Sequence, residues 1–157
     1  MKGNDKIIDK LNFLLADELT AISQYMVHAA MCDNWGYEKL HDAAEKRAID
    51  EMKHAEGLIE RLLFLDGTPK MDLLALTIGA NVKEMIESDL KAELGAIALY
   101  NEIARIAAEE KDNGTRDLFI EHLKDEEGHA DWLEIQVHQI ADIGLERYLV
   151  AQTIDGE

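Results

Sequence analysis

Four glutamates stand where amphipathic helices should carry apolar residues. Glu18 falls between Leu14 and Ile22, Glu51 between Ala48 and Ala55, Glu93 between Leu90 and Ile97, and Glu126 between Leu123 and Leu133. Two of them are followed at i+3 by a histidine, His54 and His129, on the same helix face. The set is internally repeated: adding 75 carries Glu18 to Glu93, Glu51 to Glu126 and His54 to His129. The same offset carries Leu19, Ala21, Ile22, Tyr25, Asp50, Ala55 and Leu58 onto identical residues at 94, 96, 97, 100, 125, 130 and 133. Four inward carboxylates need compensation, because an unpaired buried charge costs several kcal/mol. Two divalent cations balance them in number of charges. One Glu from each of two helices plus Glu-x-x-His from the other two is the ligand set of a di-iron or di-manganese carboxylate site. Oxygen-rich donors with one imidazole per metal suit iron or manganese over copper or thiolate-seeking ions. The pattern assigns Glu18, Glu51 and His54 to one metal and Glu93, Glu126 and His129 to the other, with Glu51 and Glu126 able to bridge.

Tyr25 and Tyr100 lie seven residues after the lone glutamates, on the same stripe, and read either as core tyrosines whose hydroxyls need a partner or, the preferred reading, as hydrogen-bond donors to metal-bound carboxylates. Asp50 and Asp125 flank the ligands and read equally well as receivers of incoming cations or as solvated charge. His28, His41, His122 and His138 have no repeat partner and are expected at the surface or an interface. Met52, about 100° round the helix from Glu51, points out of the bundle and reads from pattern alone as interface filler.

The elements that must position these residues are helices. Proline occurs once, and Ala, Leu, Glu, Lys and Ile dominate the long segments, with apolar residues recurring at three and four. Helices are expected over about 5–33, 35–65, 81–110 and 115–143, with a short fifth over 145–153, in a single domain spanning 1–157. Asn34-Trp35-Gly36, Asp66-Gly67-Thr68-Pro69 and Asp112-Asn113-Gly114 are the breakers. The 15 residues from Asp66 to Ala80 exceed a tight helix–helix turn. Extended, they reach about 50 Å, more than the ~42 Å of a 28-residue helix. The expected fold is therefore an all-α four-helix bundle with one long crossover between helices two and three. Leu73, Leu74, Leu76 and Ile78 are unusual in a solvated linker and should pack on the bundle or in a subunit contact.

Composition narrows the function class. The 157 residues carry 16 Lys and Arg against 33 Asp and Glu, a formal charge of −17. That balance opposes nucleic-acid binding, which depends on neutralising phosphates, and favours cations. No apolar run reaches the ~18 residues that span a bilayer, and Met1 to Lys6 lacks the apolar stretch of a secretory signal, so no membrane association and a cytoplasmic location are expected. The single cysteine, Cys32, excludes an intramolecular disulfide and a Cys-rich metal site.

Glu51-Met52-Lys53-His54-Ala55, Asp125-Glu126-Glu127-Gly128-His129, the opening Met1-Lys2-Gly3 and Glu60-Arg61-Leu62-Leu63-Phe64-Leu65 resemble the bacterioferritins, over essentially the whole chain. The resemblance implies a ferritin-like fold and a cage of 24 identical subunits around an iron-mineral cavity. It also implies a di-iron centre of two iron ions per chain and one b-type haem per two subunits, with Met52 as the axial ligand from each. Leu19, Ile22, Ser23 and Met26 would then line the haem. The implied activity is a ferroxidase: Fe²⁺ is oxidised by dioxygen or peroxide and stored as ferric mineral, and a bacterioferritin-associated ferredoxin is the expected reductase partner. A di-iron peroxidase or oxygenase that stores nothing is the alternative. Lys46 stands where some members place a histidine of an inner-surface iron site, and Arg147 and Val150 change the chemistry of the final helix.

Overall fold

A computed structural model describes residues 1–153; the last four positions of the expected 1–157 domain lie outside the described residues. The chain forms α1 (Asp5–Asn34), α2 (Glu38–Phe64), α3 (Val82–Glu109), α4 (Asn113–Ile143) and α5 (Leu145–Gln152), with no strand among the described residues. Asn4 caps α1 by accepting from the Lys6 amide, Asn81 caps α3 through the Glu84 amide, and Asp112 caps α4 through the Thr115 amide. α2 begins three residues later than its pattern suggests, because Trp35 closes α1 and Gly36 turns the chain at φ +80°.

α1 packs antiparallel on α2 and α3 on α4, and α1 also packs on α3. The crossover is strapped along α1 by side-chain acceptors that receive its amides. Asn12 Oδ1 takes Lys70 N–H at 2.8 Å, Thr20 Oγ1 takes Leu74 at 2.8 Å, Gln24 Oε1 takes Thr77 at 3.2 Å and His28 Nε2 takes Gly79 at 3.0 Å. Successive contacts climb α1 from residue 12 to residue 28, so α3 starts beside the end of α1 and runs parallel to α2. An extended segment cannot satisfy its own amides, and a polar column on α1 does so instead. The apolar side chains of this strap remain outside: Met71, Leu73, Leu74, Leu76 and Ile78 are between 40% and 66% exposed, so they do not pack into the bundle.

Two apolar clusters fill the bundle. One joins Leu11, Leu14, Leu58, Leu62, Ile103 and Phe119; the other, towards α5, joins Leu40, Val82, Met85, Ile86, Leu133 and Tyr148. Arg61 closes the first end by donating to Thr115 Oγ1 and Asp112 Oδ1, both at 2.8 Å. Gly114 leaves room for it, since a Cβ there would lie 2.9 Å from the Arg61 guanidinium. Between the clusters the core turns polar.

Candidate metal centre

Glu18, Glu51, Glu93 and Glu126 are each no more than 3% exposed, and His54 and His129 are 3% and 9% exposed. All four long helices contribute, one glutamate each, at the level where the pattern places them. Their donor atoms form two overlapping groups: Glu18, Glu51, His54 and Glu126, then Glu51, Glu93, Glu126 and His129, each within 4.8 Å. Glu51 and Glu126 belong to both, the arrangement that two bridging carboxylates require.

Some contacts inside the cluster are close without being hydrogen bonds. His129 Nδ1 lies 3.1 Å from Glu51 Oε1, and His54 Nδ1 lies 3.0 Å from Glu126 Oε1. Yet Glu51 Oε1, Glu93 Oε2, Glu126 Oε1 and His129 Nδ1 have no hydrogen-bond partner. Buried polar atoms are almost always paired. Four orphans from one cluster, crowded at bonding distance with the wrong angles, are what donors sharing a cation present. This donor set fits a pair of divalent ions.

Without cations the cluster holds protons. Burial, with the charges of Glu51 and Glu18, pushes Glu126 up to about 12, and burial with the charge of Glu51 pushes Glu18 up to about 8. Burial opposes charging of the imidazoles, but the carboxylates of Glu126, Glu18 and Glu51 beside it hold His54 well above the ordinary range, and Glu51 and Glu93 raise His129 to about 10. Burial likewise works against the Glu51 carboxylate, which the imidazoles of His129 and His54 beside it nevertheless keep well below the usual carboxylate range.

The shell around the ligands repeats as well. Tyr25 Oη donates to Glu93 Oε1 at 2.6 Å, and Tyr100 Oη donates to Glu18 Oε1, so each tyrosine braces the lone glutamate of the other repeat. His54 Nε2 lies 3.1 Å from Asp125 Oδ2 and His129 Nε2 lies 3.5 Å from Asp50 Oδ2. A carboxylate behind each imidazole fixes its orientation and leaves Nδ1 facing the cluster. Asp125 thus pairs with the His54 imidazole, and Asp50 lies near that of His129. Lys46 and Lys53 both pair with Asp50, at 3.0 and 3.1 Å, while Asp125 is 61% exposed.

Two of the remaining histidines are not at the surface. His28 is 1% exposed, with Nδ1 2.8 Å from Asp89 Oδ1, and His122 is 6% exposed, stacked on His54. His138 is exposed and His41 half-buried, as expected. A signal for His122 was available: it and Arg47 stand four residues before Glu126 and Glu51 and are related by the 75-residue offset, so they share the ligand face. Met52 is 46% exposed between buried Glu51 and buried His54.

Clefts reach the centre from two sides. One of about 280 Å³, between α1, α3 and the strap, is lined by Asp17, Tyr25, Glu51, Glu93 and Glu126. Burial and the charges of Glu51 and Glu93 push Asp17 up to about 6. The other, about 530 Å³ between α2 and α4, is lined by Lys46, Arg47, Asp50, Lys124, Asp125 and His129. Among the described residues no helix is long and apolar enough to cross a membrane.

A four-helix bundle with one crossover and a buried carboxylate–histidine core is the ferritin-like class, and residues 8–143 match the ferritin-like domain family. The chain is 44% identical to a protein named bacterioferritin from Brucella melitensis, over 94% of this chain and 92% of that one. It is 40% identical to a bacterial ferritin from Pseudomonas aeruginosa and 41% identical to one from Synechocystis, each match covering 97% of this chain and 99% of the relative. The chain belongs to the bacterioferritin family.

Proposed function

We propose that the protein stores iron and oxidises it on the way in, as a ferroxidase whose site is Glu18, Glu51, His54, Glu93, Glu126 and His129. The observation that carries this reading is the set of four orphaned donor atoms within one buried cluster. Four glutamate charges neutralise two Fe²⁺, Glu51 and Glu126 span both positions, and each histidine supplies one nitrogen. Asp125 and Asp50 keep the Nε2 edges of the imidazoles turned away from the metals, and Tyr25 and Tyr100 restrict the lone glutamates to one rotamer. Fe²⁺ arrives through the acidic cleft beside Asp17, each ion gives one electron to dioxygen or peroxide, and Fe³⁺ passes on to a mineral inside a cage of 24 copies. The exposed apolar strap is a surface for contacts between those copies. A cytoplasmic location and a ferredoxin reductant belong to the same reading.

Met52 fits a haem ligand. Its thioether is exposed, and Ile49 one turn earlier on the same face is 44% exposed, which puts an apolar side chain beside a sulfur donor. Met52 from two subunits would hold one b-type haem, with Leu19, Ile22, Ser23 and Met26 beside it. The bound haem would supply one-electron transfer to and from the store. Met52→Leu is expected to abolish haem binding while leaving Fe²⁺ oxidation in place; an unchanged haem absorption spectrum would refute the assignment.

The storage reading is tested by adding Fe²⁺ in air in increments and measuring iron per chain after size-exclusion chromatography. Tens to hundreds of irons eluting with a large assembly support storage. A plateau near about two per chain, the capacity of one two-metal site, would mean a di-iron peroxidase or oxygenase that stores nothing.

A further inference from the structure

The 75-residue offset that superposes the ligands fails next to them. Arg47 corresponds to His122, and Gly57 to Trp132. On one side the Arg47 guanidinium faces away from the ligands: it pairs with Asp89 at 3.1 Å and lies between the rings of Tyr25 and Trp132, at 5.2 and 5.0 Å. A guanidinium has no lone pair to offer a cation. On the other side stands an imidazole. His122 stacks on His54 with ring centroids 4.3 Å apart and 20° between planes. Its Nδ1 lies 3.1 Å from Tyr100 Oη, the hydroxyl that donates to Glu18. Gly57 admits this ring, since a Cβ there would lie 3.2 Å from His122 Nε2.

We propose that the two cation positions are unequal and that His122 makes the Glu18–His54 position the tighter one. This inference rests on the two-metal reading. His122 restrains two ligands of one cation at once, His54 by stacking and Glu18 through Tyr100. No such ring stacks on His129 among the described residues, where the nearest aromatic neighbour is His54, tilted at 6.5 Å. His122 also offers a donor atom within 4.8 Å of those of Glu18 and His54, an additional nitrogen that the Glu93–His129 position lacks. Ligands already held in place lose less freedom on binding, and removing such a support costs about 10- to 100-fold in metal affinity. His122 is thus a positioning residue specific to one half of the centre.

The test is stepwise loading of the metal-free assembled protein with Co²⁺, read by its visible absorption and, at one equivalent per chain, by anomalous diffraction. Expected are cobalt at Glu18–His54 first, two binding steps separated by about 10- to 100-fold, and near-equal steps in His122→Leu. A purely structural role for His122 would weaken both steps together and leave their ratio, so an unchanged ratio in that variant overturns the proposal. Should His122→Leu fail to assemble, the wild-type map decides: equal cobalt at both positions, or cobalt first at Glu93–His129, overturns it while leaving the two-metal reading intact. Failure to bind Co²⁺ at either position overturns the two-metal reading and the inference with it.

Discussion

The regions on either side of the metal centre descend from the same 75-residue pattern and are built from opposite materials. Beside the first repeat's ligands the core is apolar, with Leu14, Leu99 and Ile103 completely or largely buried. Their counterparts by the offset are Asp89, Gln24 and His28, a buried polar network in which Asp89 receives Arg47 at 3.1 Å, Gln24 at 2.9 Å and His28 at 2.8 Å. The clustered glutamates and histidines show no such divergence, as side chains that must each present a donor atom at a fixed place would not. The flanking positions need only fill space without leaving a polar atom unsatisfied. The polar side also anchors the crossover. His28 and Gln24 hold the amides of Gly79 and Thr77, so the network that fills one end of the bundle fastens the strap.

Replacing Asp89 by leucine, the residue at the corresponding place on the other side, should produce the largest loss of stability. It leaves the Arg47 charge buried and unpaired, a change worth about 3–5 kcal/mol. Chemical denaturation of the metal-free protein reads this directly; a loss below about 1 kcal/mol, the scale of an exposed pair, would mean that Arg47 finds another partner. Glu126→Ala, on the shared side of the comparison, should leave the helical circular dichroism unchanged and slow Fe²⁺ oxidation by more than the 10- to 100-fold typical of an outer residue, measured by stopped-flow absorbance. Wild-type rates in that variant would place the chemistry elsewhere.

A smaller and more diagnostic effect concerns protons. Glu18 and His129 have folded-state values raised to about 8 and 10, so the folded metal-free protein retains protons that the unfolded chain has released. That contribution to stability is complete below the ordinary values of 4.5 and 6.5 and disappears as pH rises through about 8 and then about 10. Metal-free protein should therefore lose stability across this alkaline window, whereas metal-loaded protein, whose ligands are already deprotonated, should not. Loading two divalent cations near pH 7 should correspondingly release about four protons, from Glu18, Glu126, His54 and His129. A pH-stat titration measures the number, and release of one proton or none would contradict the charge state described for the cluster.

The buried carboxylate–histidine cluster was legible because a charge interrupting an apolar stripe is conspicuous, and a constant offset repeats the interruption. The crossover was legible from length alone, and so was the direction of α3. What failed was assigning polarity to side chains without a repeat partner. His28 and His122 look like surface residues when read along one dimension, yet each is buried against partners distant in sequence, Asp89 for one and His54 with Tyr100 for the other. Asp50 and Asp125 were visible as a repeated pair, but only the antiparallel packing of α2 beside α4 shows each one serving the histidine of the opposite repeat. The apolar residues of the strap posed a choice that the bundle answers in part: they lie outside it.

Whether the six buried side chains make one two-iron oxidation site is read most directly from the amplitude of the fast phase when Fe²⁺ is mixed with the oxygenated protein. That amplitude should saturate at about two Fe²⁺ per chain, the capacity of a two-metal site, followed by slower turnover as further iron is added. A fast phase that saturates at one per chain, or that persists unchanged in Glu126→Ala, would contradict it.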